Sequence, residues 1–468
     1  MTNVLFAYMS SSDLAQMKII SQGIQEFGDF QVFSAAISNS SQTLSRGLPD
    51  EAPIHFRPDH IIEKKNQGRQ NFKSRFSSIL KLEPLKSARQ IYGLIRNWQY
   101  WNKRKKSALH FIKKNKIDVI VTGNDTTPYY LPVLWAGHKN KCNIVLARTA
   151  NIFYHDESEG YKNSFKHWMR ARMPEMQIDK PRSLADYLFR EIVVRFRPNH
   201  ITDTIWGRLI PYDYSTLLSI EMNGICPEQI WNLGHSWTSS IIISGDDEAE
   251  ALKKYRIADD KVKSIGCVAF QNMQALLSSR DNLKNEMAQK LEFDLKKPIV
   301  VVTVMAGWEH KTMSYEQQFN FFKYFFSMLA EFDVNILLSL HPLSREEDYA
   351  DIAAEYNLKF LHKSLIESLV VADIFLGTDN SSVVRWAIST GIPTMNFQFN
   401  PDKISFQLHS EYPNLTDEGK FRKWFGDHVS RGPIETKELK HTNRRPMNLI
   451  ADGKYFQHFA NILETKND

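Results

Sequence analysis

Asn335–Phe397 reads NILLSLHPLSREEDYADIAAEYNLKFLHKSLIESLVVADIFLGTDNSSVVRWAISTGIPTMNF, and its alternation decides the fold. The apolar run Asn335–Leu340 reads as a buried parallel strand that stops at His341-Pro342. Proline cannot donate to a strand ladder, so His341 stands at the strand's carboxyl end, where a loop begins. Glu346, Tyr349, Ile352, Ala353 and Tyr356 then recur at helical spacing, and Leu358–Leu361 is a short strand. A helix over Ser364–Val371 leads to a strand at Ile374–Gly377, which gives way to Thr378-Asp379-Asn380-Ser381-Ser382. The next helix carries Val383, Val384, Trp386, Ala387 and Ile388 on its apolar side. Gly391-Ile392-Pro393 ends it, and Thr394–Phe397 is a further strand. Strands and helices alternating with short connections predict a doubly wound parallel sheet.

Such sheets bind ligands at the carboxyl ends of their strands. Two polar clusters fall there, His341-Pro342 and the run Thr378 to Ser382. The second opens a helix, where free backbone N–H groups and the positive end of the macrodipole suit a phosphate. Ser381 and Ser382 add hydroxyl donors, with Asp379 and Asn380 beside them. The same run also suits a simple helix N-cap.

His-Pro after one strand, then Ser-Ser opening a later helix before Ala387 and Gly391-Ile392-Pro393, resembles the C-terminal half of GT-B glycosyltransferases. The likeness is to bacterial sialyltransferases, polysialyltransferases and the capsule-polysaccharide group. The run Asp379–Val383 is also similar to that of the teichoic-acid (CDP-glycerol) glycerophosphotransferases. The general layout is similar to that of the non-hydrolysing UDP-N-acetylglucosamine 2-epimerases. The resemblance covers roughly the last 200 residues. It implies two Rossmann-like parallel-sheet domains facing a cleft. In the first group the histidine and the serine pair hold the nucleotide phosphate and help the leaving group depart.

Working outward, 468 residues exceed one ordinary core, so two domains are expected. The predicted arrangement has an acceptor-side domain over 1–270, with insertions at about 60–116 and 161–236. A polar linker over 271–294 joins it to a nucleotide-sugar domain over 295–447, and a terminal helix over 448–468 packs back on the first. Three scattered cysteines, Cys142, Cys226 and Cys267, suggest neither a disulfide framework nor a metal pattern, and they fit a reducing, cytoplasmic compartment. Met1–Met9 reads as a first strand rather than a signal peptide, and no apolar run reaches 18 residues.

Net charge is +6, but Lys64–Lys116 alone holds 16 Lys and Arg against Glu83, leaving −9 elsewhere. Phe72, Phe76, Ile79, Leu80, Ile91, Leu94, Ile95, Trp98 and Trp101 recur there at helical spacing. The pattern fits a basic amphipathic helix at an anionic membrane, peripheral on the inner face. It equally fits a solvated face or a site for an acidic acceptor polymer. No nucleic-acid module accompanies it.

Asn3–Tyr8 opens the chain as a strand, without a G-x-G-x-x-G fingerprint after it. Asp118–Thr122 is a strand whose loop carries Asp125, and Cys142–Ala147 is another, followed by His155-Asp156-Glu157-Ser158-Glu159-Gly160. The resembled sialyltransferases carry an acidic pair before a glycine in this half, one acid serving as general base. Here the pattern is imperfect, and Asp156, Glu157, Glu159 and Asp125 all remain candidates. For any single one of them an ordinary acidic surface loop is the better account. The second domain opens with strand Ile299–Met305, whose loop, Ala306–Lys311, offers Gly307, Glu309, His310 and Lys311 to a cleft. Phe319–Phe332 is an aromatic core helix.

These features fit an inverting glycosyltransferase that uses a nucleotide-activated sugar and a surface-polysaccharide or lipid-linked acceptor. No cofactor is expected. No D-x-D motif is present, and a helix dipole, His and Lys can neutralise a departing phosphate without a metal. Glycerophosphate transfer, UDP-sugar 2-epimerisation and non-catalytic glycan or membrane binding are the alternatives.

Overall fold

The computed structural model describes residues 1–9, 11–37, 55–56, 83–147, 170–231, 233–309, 313–341, 343–362, 364–378, 383–398, 413–440, 450 and 452–465. Two compact units form. One comprises Met1–Ile243, Glu248–Ile265 and Phe456–Asp468, and the other Ser244–Asp247 and Gly266–Tyr455.

The first unit runs β1 (Thr2–Tyr8), α1 (Ser11–Gly23), β2 (Phe30–Ala36), β3 (His55–Phe56), α2 (Glu83–Lys114), β4 (Val119–Thr122), α3 (Leu131–Lys139) and β5 (Asn143–Ala147). It continues through α4 (Leu184–Phe196), β6 (Thr202–Thr204), β7 (Gly207–Leu209), α5 (Tyr214–Met222), β8 (Ser240–Ile243), α6 (Asp246–Lys254) and β9 (Val262–Ser264). Its parallel sheet has the order β3-β2-β1-β4-β5-β8-β9, while β6 and β7 make a separate antiparallel pair.

The second unit runs α7 (Met273–Ser278), α8 (Arg280–Leu291), β10 (Ile299–Thr303), α9 (Tyr315–Leu329), β11 (Asn335–Ser339), α10 (Glu346–Glu355), β12 (Lys359–Phe360) and α11 (Leu365–Val371). After these come β13 (Ile374–Thr378), α12 (Val384–Thr390), β14 (Thr394–Phe397), β15 (Asn414–Leu415), α13 (Glu418–Val429) and α14 (Thr436–Lys440). The sheet order is β12-β11-β10-β13-β14-β15, every pair parallel. Counted from β10 this is 3-2-1-4-5-6, the Rossmann order, and the first sheet begins the same way. The last helix, α15 (Tyr455–Glu464), lies almost wholly in the first unit, where Phe459, Ala460 and Leu463 are buried.

Strands covered on both faces read as continuous apolar runs, and β10, β11 and β13 are buried at every position. Helix α9 starts on a capping box. Ser314 Oγ accepts from Gln317 N at 3.1 Å, and Gln317 Oε1 accepts from Ser314 N at 3.0 Å. Its buried face presents Phe319, Phe321, Phe322, Phe325 and Phe326 to the sheet, and Phe325 meets Phe397 and Phe421 at 5.5 and 5.7 Å.

Two expectations change. Residues 271–294 form α7 and α8 of the second unit rather than a linker, because their apolar side chains at helical spacing pack on α11. Buried Arg280 and Lys284 of α8 are consumed by Asp373. The basic stretch also differs from a helix lying flat on a surface. Trp101 is buried among Ile210, Tyr214 and Leu217, while Ala108 and Ile112 join Phe33 and Ile120. Leu94 and Trp98 are half-buried, which leaves Ile91 and Ile95 outward. Phe72, Phe76, Ile79 and Leu80 lie outside the described residues. Among the described residues, no helix is long and apolar enough to cross a membrane.

Candidate functional site

In the second unit the strand order reverses between β10 and β13, which makes their carboxyl ends a topological switch point. The register pairs Thr303 with Ser339 on one side and with Gly377 on the other. His341 is therefore two residues beyond the β11 side of this edge, and Thr378 one residue beyond the β13 side. Gly307 and Glu309 follow β10 at the same edge.

Thr378 is buried, and its hydroxyl ties the two central strands together. It accepts from Met305 N at 2.8 Å and donates to Thr303 O at 3.0 Å. Gly377 stands where a Cβ would meet Val384 Cγ2 at 2.9 Å and Asn396 Oδ1 at 3.0 Å, so glycine lets α12 press close on β13. Over Gly307 a Cβ would meet Met313 Cγ and Sδ at 2.8 Å. The small residue expected to admit a ligand is thus already approached by the chain's own thioether side chain.

His341 is half-buried and begins a turn in which Ser344 N donates to His341 O at 2.8 Å. Its Nδ1 accepts from Leu343 N at 3.2 Å, so the neutral ring carries its proton on Nε2. A ring with that tautomer offers a donor at Nε2. Glu309 braces this turn. Its Oε1 accepts from Tyr349 OH at 3.1 Å and, closely, from Ser344 Oγ, while Oε2 accepts from Gln318 Nε2 at 3.1 Å. Burial works to raise the Glu309 carboxyl, but the hydrogen bonds from Ser344, Gln318, its own backbone and Tyr349 outweigh it and hold the group below its ordinary range. Burial raises the Tyr349 hydroxyl. Sequence reading singled out Glu309 but missed Gln318, Ser344 and Tyr349, whose meeting depends on three separate elements.

In the first unit Asp125 is buried, and Oδ2 accepts from Gly234 N at 3.0 Å, Ser236 Oγ at 2.7 Å and Thr238 Oγ1 at 2.9 Å. That oxygen pins the loop before β8 to the loop after β4, while Oδ1 is buried without a hydrogen-bond partner among the described residues. Asp156, Glu157, Glu159, His310, Lys311, Pro342, Asp379, Asn380, Ser381 and Ser382 lie outside the described residues.

One group of His, Cys and acidic side chains reaches ligand spacing among the described residues, with atoms of His200, Glu221 and Cys226 within 4.8 Å of one another. The Arg197 fork takes both Glu221 oxygens at 2.5 and 2.7 Å, and burial pushes the Cys226 thiol strongly upward. Both features work against a cation there, by charge repulsion and by withholding the thiolate.

No family model and no curated protein matches the chain. Among solved structures it is similar to the UDP-GlcNAc 2-epimerase of Methanocaldococcus jannaschii, at 12% identity and a TM-score of 0.50, over 99% of each chain. It is also similar to the UDP-GlcNAc 2-epimerase of Neisseria meningitidis bound to UDP-GlcNAc, at 11% identity and 0.51, again over 99% of each. The wall teichoic acid polymerase TagF aligns at 11% identity and 0.49, over 99% of this chain and 87% of the other. The chain thus has the two-domain α/β fold of the GT-B kind.

Proposed function

We propose that this chain is an enzyme that binds a nucleotide-activated sugar at the second unit and transfers the sugar to a surface-polysaccharide or lipid-linked glycan acceptor. The observation that carries the reading is the convergence of His341, Thr378 and the Glu309-braced turn on the carboxyl edge of β10, β11 and β13. Edges of this kind at a switch point are where Rossmann-order sheets take their ligands.

In this reading residues 266–455 serve as the donor unit. The run Asp379, Asn380, Ser381 and Ser382 after Thr378 holds the phosphate, and His341 meets the departing phosphate through Nε2–H. His310 and Lys311, next to Glu309 in sequence, would supply positive charge for the same phosphate. A carboxylate from Asp156, Glu157 or Glu159 removes the acceptor's proton, as an inverting transfer needs. The bond from the anomeric carbon to the nucleotide phosphate breaks, a bond to the acceptor oxygen forms, and the nucleotide leaves with the bonding pair.

A thermal-shift panel with CMP, CDP, UDP, CMP-sugars and UDP-sugars tests the first half. A ligand that binds only the folded chain raises Tm. If no nucleotide raises it, the reading fails. For the second half, His341→Ala should keep nucleotide binding and lose turnover, roughly 100- to 10,000-fold for a lost general acid.

A UDP-sugar 2-epimerase is the second reading, favoured by fold likeness over 99% of both chains. An epimerase consumes UDP-sugar with no acceptor and gives an isomer of the same mass. A transferase needs the acceptor and releases nucleotide.

A further inference from the structure

Helix α4 carries Leu184, Leu188, Ile192 and Phe196 at four-residue steps, hence along one side. They are 62%, 52%, 43% and 66% exposed, and Tyr187 beside them is 48% exposed. The opposite side is built into the unit, with Arg190 buried on Asp186 at 2.8 Å and Val193 in the core. The start of α4 is fastened to α2, where Ala185 N donates to Ser87 Oγ at 3.2 Å and Ser183 Oγ donates to Gln90 Oε1. Ile91, four residues on from Ser87, and Ile95, four further, are 46% and 49% exposed.

A fold that hides one side of α4 so thoroughly has left a row of large apolar side chains on the other. Monomeric proteins seldom expose contiguous apolar surface beyond a few hundred Å², and larger patches mark a partner. Charge identifies that partner. On α2, exposed Lys103 and Lys106 follow Ile91, Ile95 and Gln99 at three- and four-residue steps. Lys86, Arg89 and Arg96 are exposed on the same helix, whose only acid is Glu83. Exposed Arg195 follows Ile192 by three residues on α4, against the exposed acid Glu191, while Arg182 before the helix is paired with Glu175 and Asp186. Apolar residues rimmed by cations fit an interface between hydrocarbon and anionic headgroups, where Arg and Lys reach up while Leu, Ile and Phe sit about 5–10 Å into the boundary.

We propose that the outer side of α4, with Ile91 and Ile95 of α2, is a docking surface for an anionic lipid bilayer. It differs from the helix suggested by the basic sequence, since Trp101 of that helix is spent in the core. The proposal stands independently of any transferase reading.

The full chain should float with vesicles of phosphatidylcholine containing about a third phosphatidylglycerol, at least roughly tenfold more than with phosphatidylcholine alone, and salt should weaken binding. The pair Leu188→Glu and Ile192→Glu should lower flotation about tenfold while leaving Tm unchanged, since both residues are exposed. A polarity-sensitive dye on Leu188→Cys, compared with the unsubstituted chain treated alike, should shift to the blue on anionic vesicles only. Absent flotation overturns the proposal. Equal flotation of the Glu pair also does, because another part of the chain then makes the contact. So does a self-associating parent that the Glu pair turns monomeric with no vesicle binding, because a second copy is then the occupant.

Discussion

The two edges of the sheet in the second unit use polar residues in opposite ways. At the amino edge Asp373, wholly buried, accepts from Arg280 Nη2 at 2.9 Å, Lys284 Nζ at 2.8 Å, Ile299 N at 2.8 Å and Ile434 N at 2.9 Å. Arg280 also donates to Val370 O at 2.9 Å and Ala372 O at 3.0 Å. At the carboxyl edge Thr378 ties β10 to β13, while Glu309 and His341 are half-buried and brace a turn. One edge spends its charges on holding α8, β10, β13 and the segment before α14 together. The other leaves the Glu309 carboxylate and the His341 ring half-buried, in a turn. A buried charge is tolerable only when its partners are complete, so the amino edge is where a single lost group should cost most.

Asp373→Ala is the severest test. It strands Arg280 and Lys284 without their carboxylate and should destabilise the chain by about 3–5 kcal/mol. Urea unfolding measures it, and a loss under about 1 kcal/mol would erase the proposed contrast between edges. Thr378→Val comes next. The isosteric change removes the acceptor of the Met305 N–H while filling the same volume, so about 1–3 kcal/mol should go. Pairing Thr378→Val with Asp373→Ala should give additive losses, because the two residues sit at opposite ends of β13 and share no partner.

How much of this could be read from the chain depends on range. The strands announced themselves because burial on both faces demands unbroken apolar runs, as in Ile299–Thr303 and Ile374–Gly377. His341 was legible because Pro342 must end a strand. Arg280, Lys284 and Asp373 were not, since a charge destined for a buried pair looks like any solvated charge until its partner, 93 residues from Arg280, is known. The tie that Asp125 makes was hidden for the same reason, as its three donors come from a loop more than 100 residues on. The outer row of α4 was hidden too, since nothing local says which side of a helix the fold covers.

Glu309→Gln should cost less than Thr378→Val, because the group is half exposed and Gln keeps an acceptor for Ser344 and Tyr349. Its signature is the pH dependence. A carboxyl held below its unfolded value of 4.5 adds stability above that pH, and the contribution fades as the folded group protonates. The parent should therefore exceed Glu309→Gln in stability at neutral pH and lose that lead as pH falls below 4.5. A gap that stays constant through the acid range would mean that the carboxylate's charge is not what braces the turn.

The smallest stability change is expected at His341, and it sharpens the contrast most. Within its own turn this ring accepts the Leu343 N–H at Nδ1. Asparagine supplies a side-chain oxygen that commonly accepts from a backbone N–H two residues on, so His341→Asn should keep the turn and stay within about 0.5 kcal/mol of the parent. Asparagine has no titrating proton, so every function that needs an imidazole should vanish with the fold intact. Should His341→Asn unfold as readily as Thr378→Val, the histidine belongs with the structural residues, and the carboxyl edge is built for stability like the amino edge. A His341→Asn chain with the parent's unfolding curve would instead leave the imidazole as a group the fold does not need, at the edge where such sheets take their ligands.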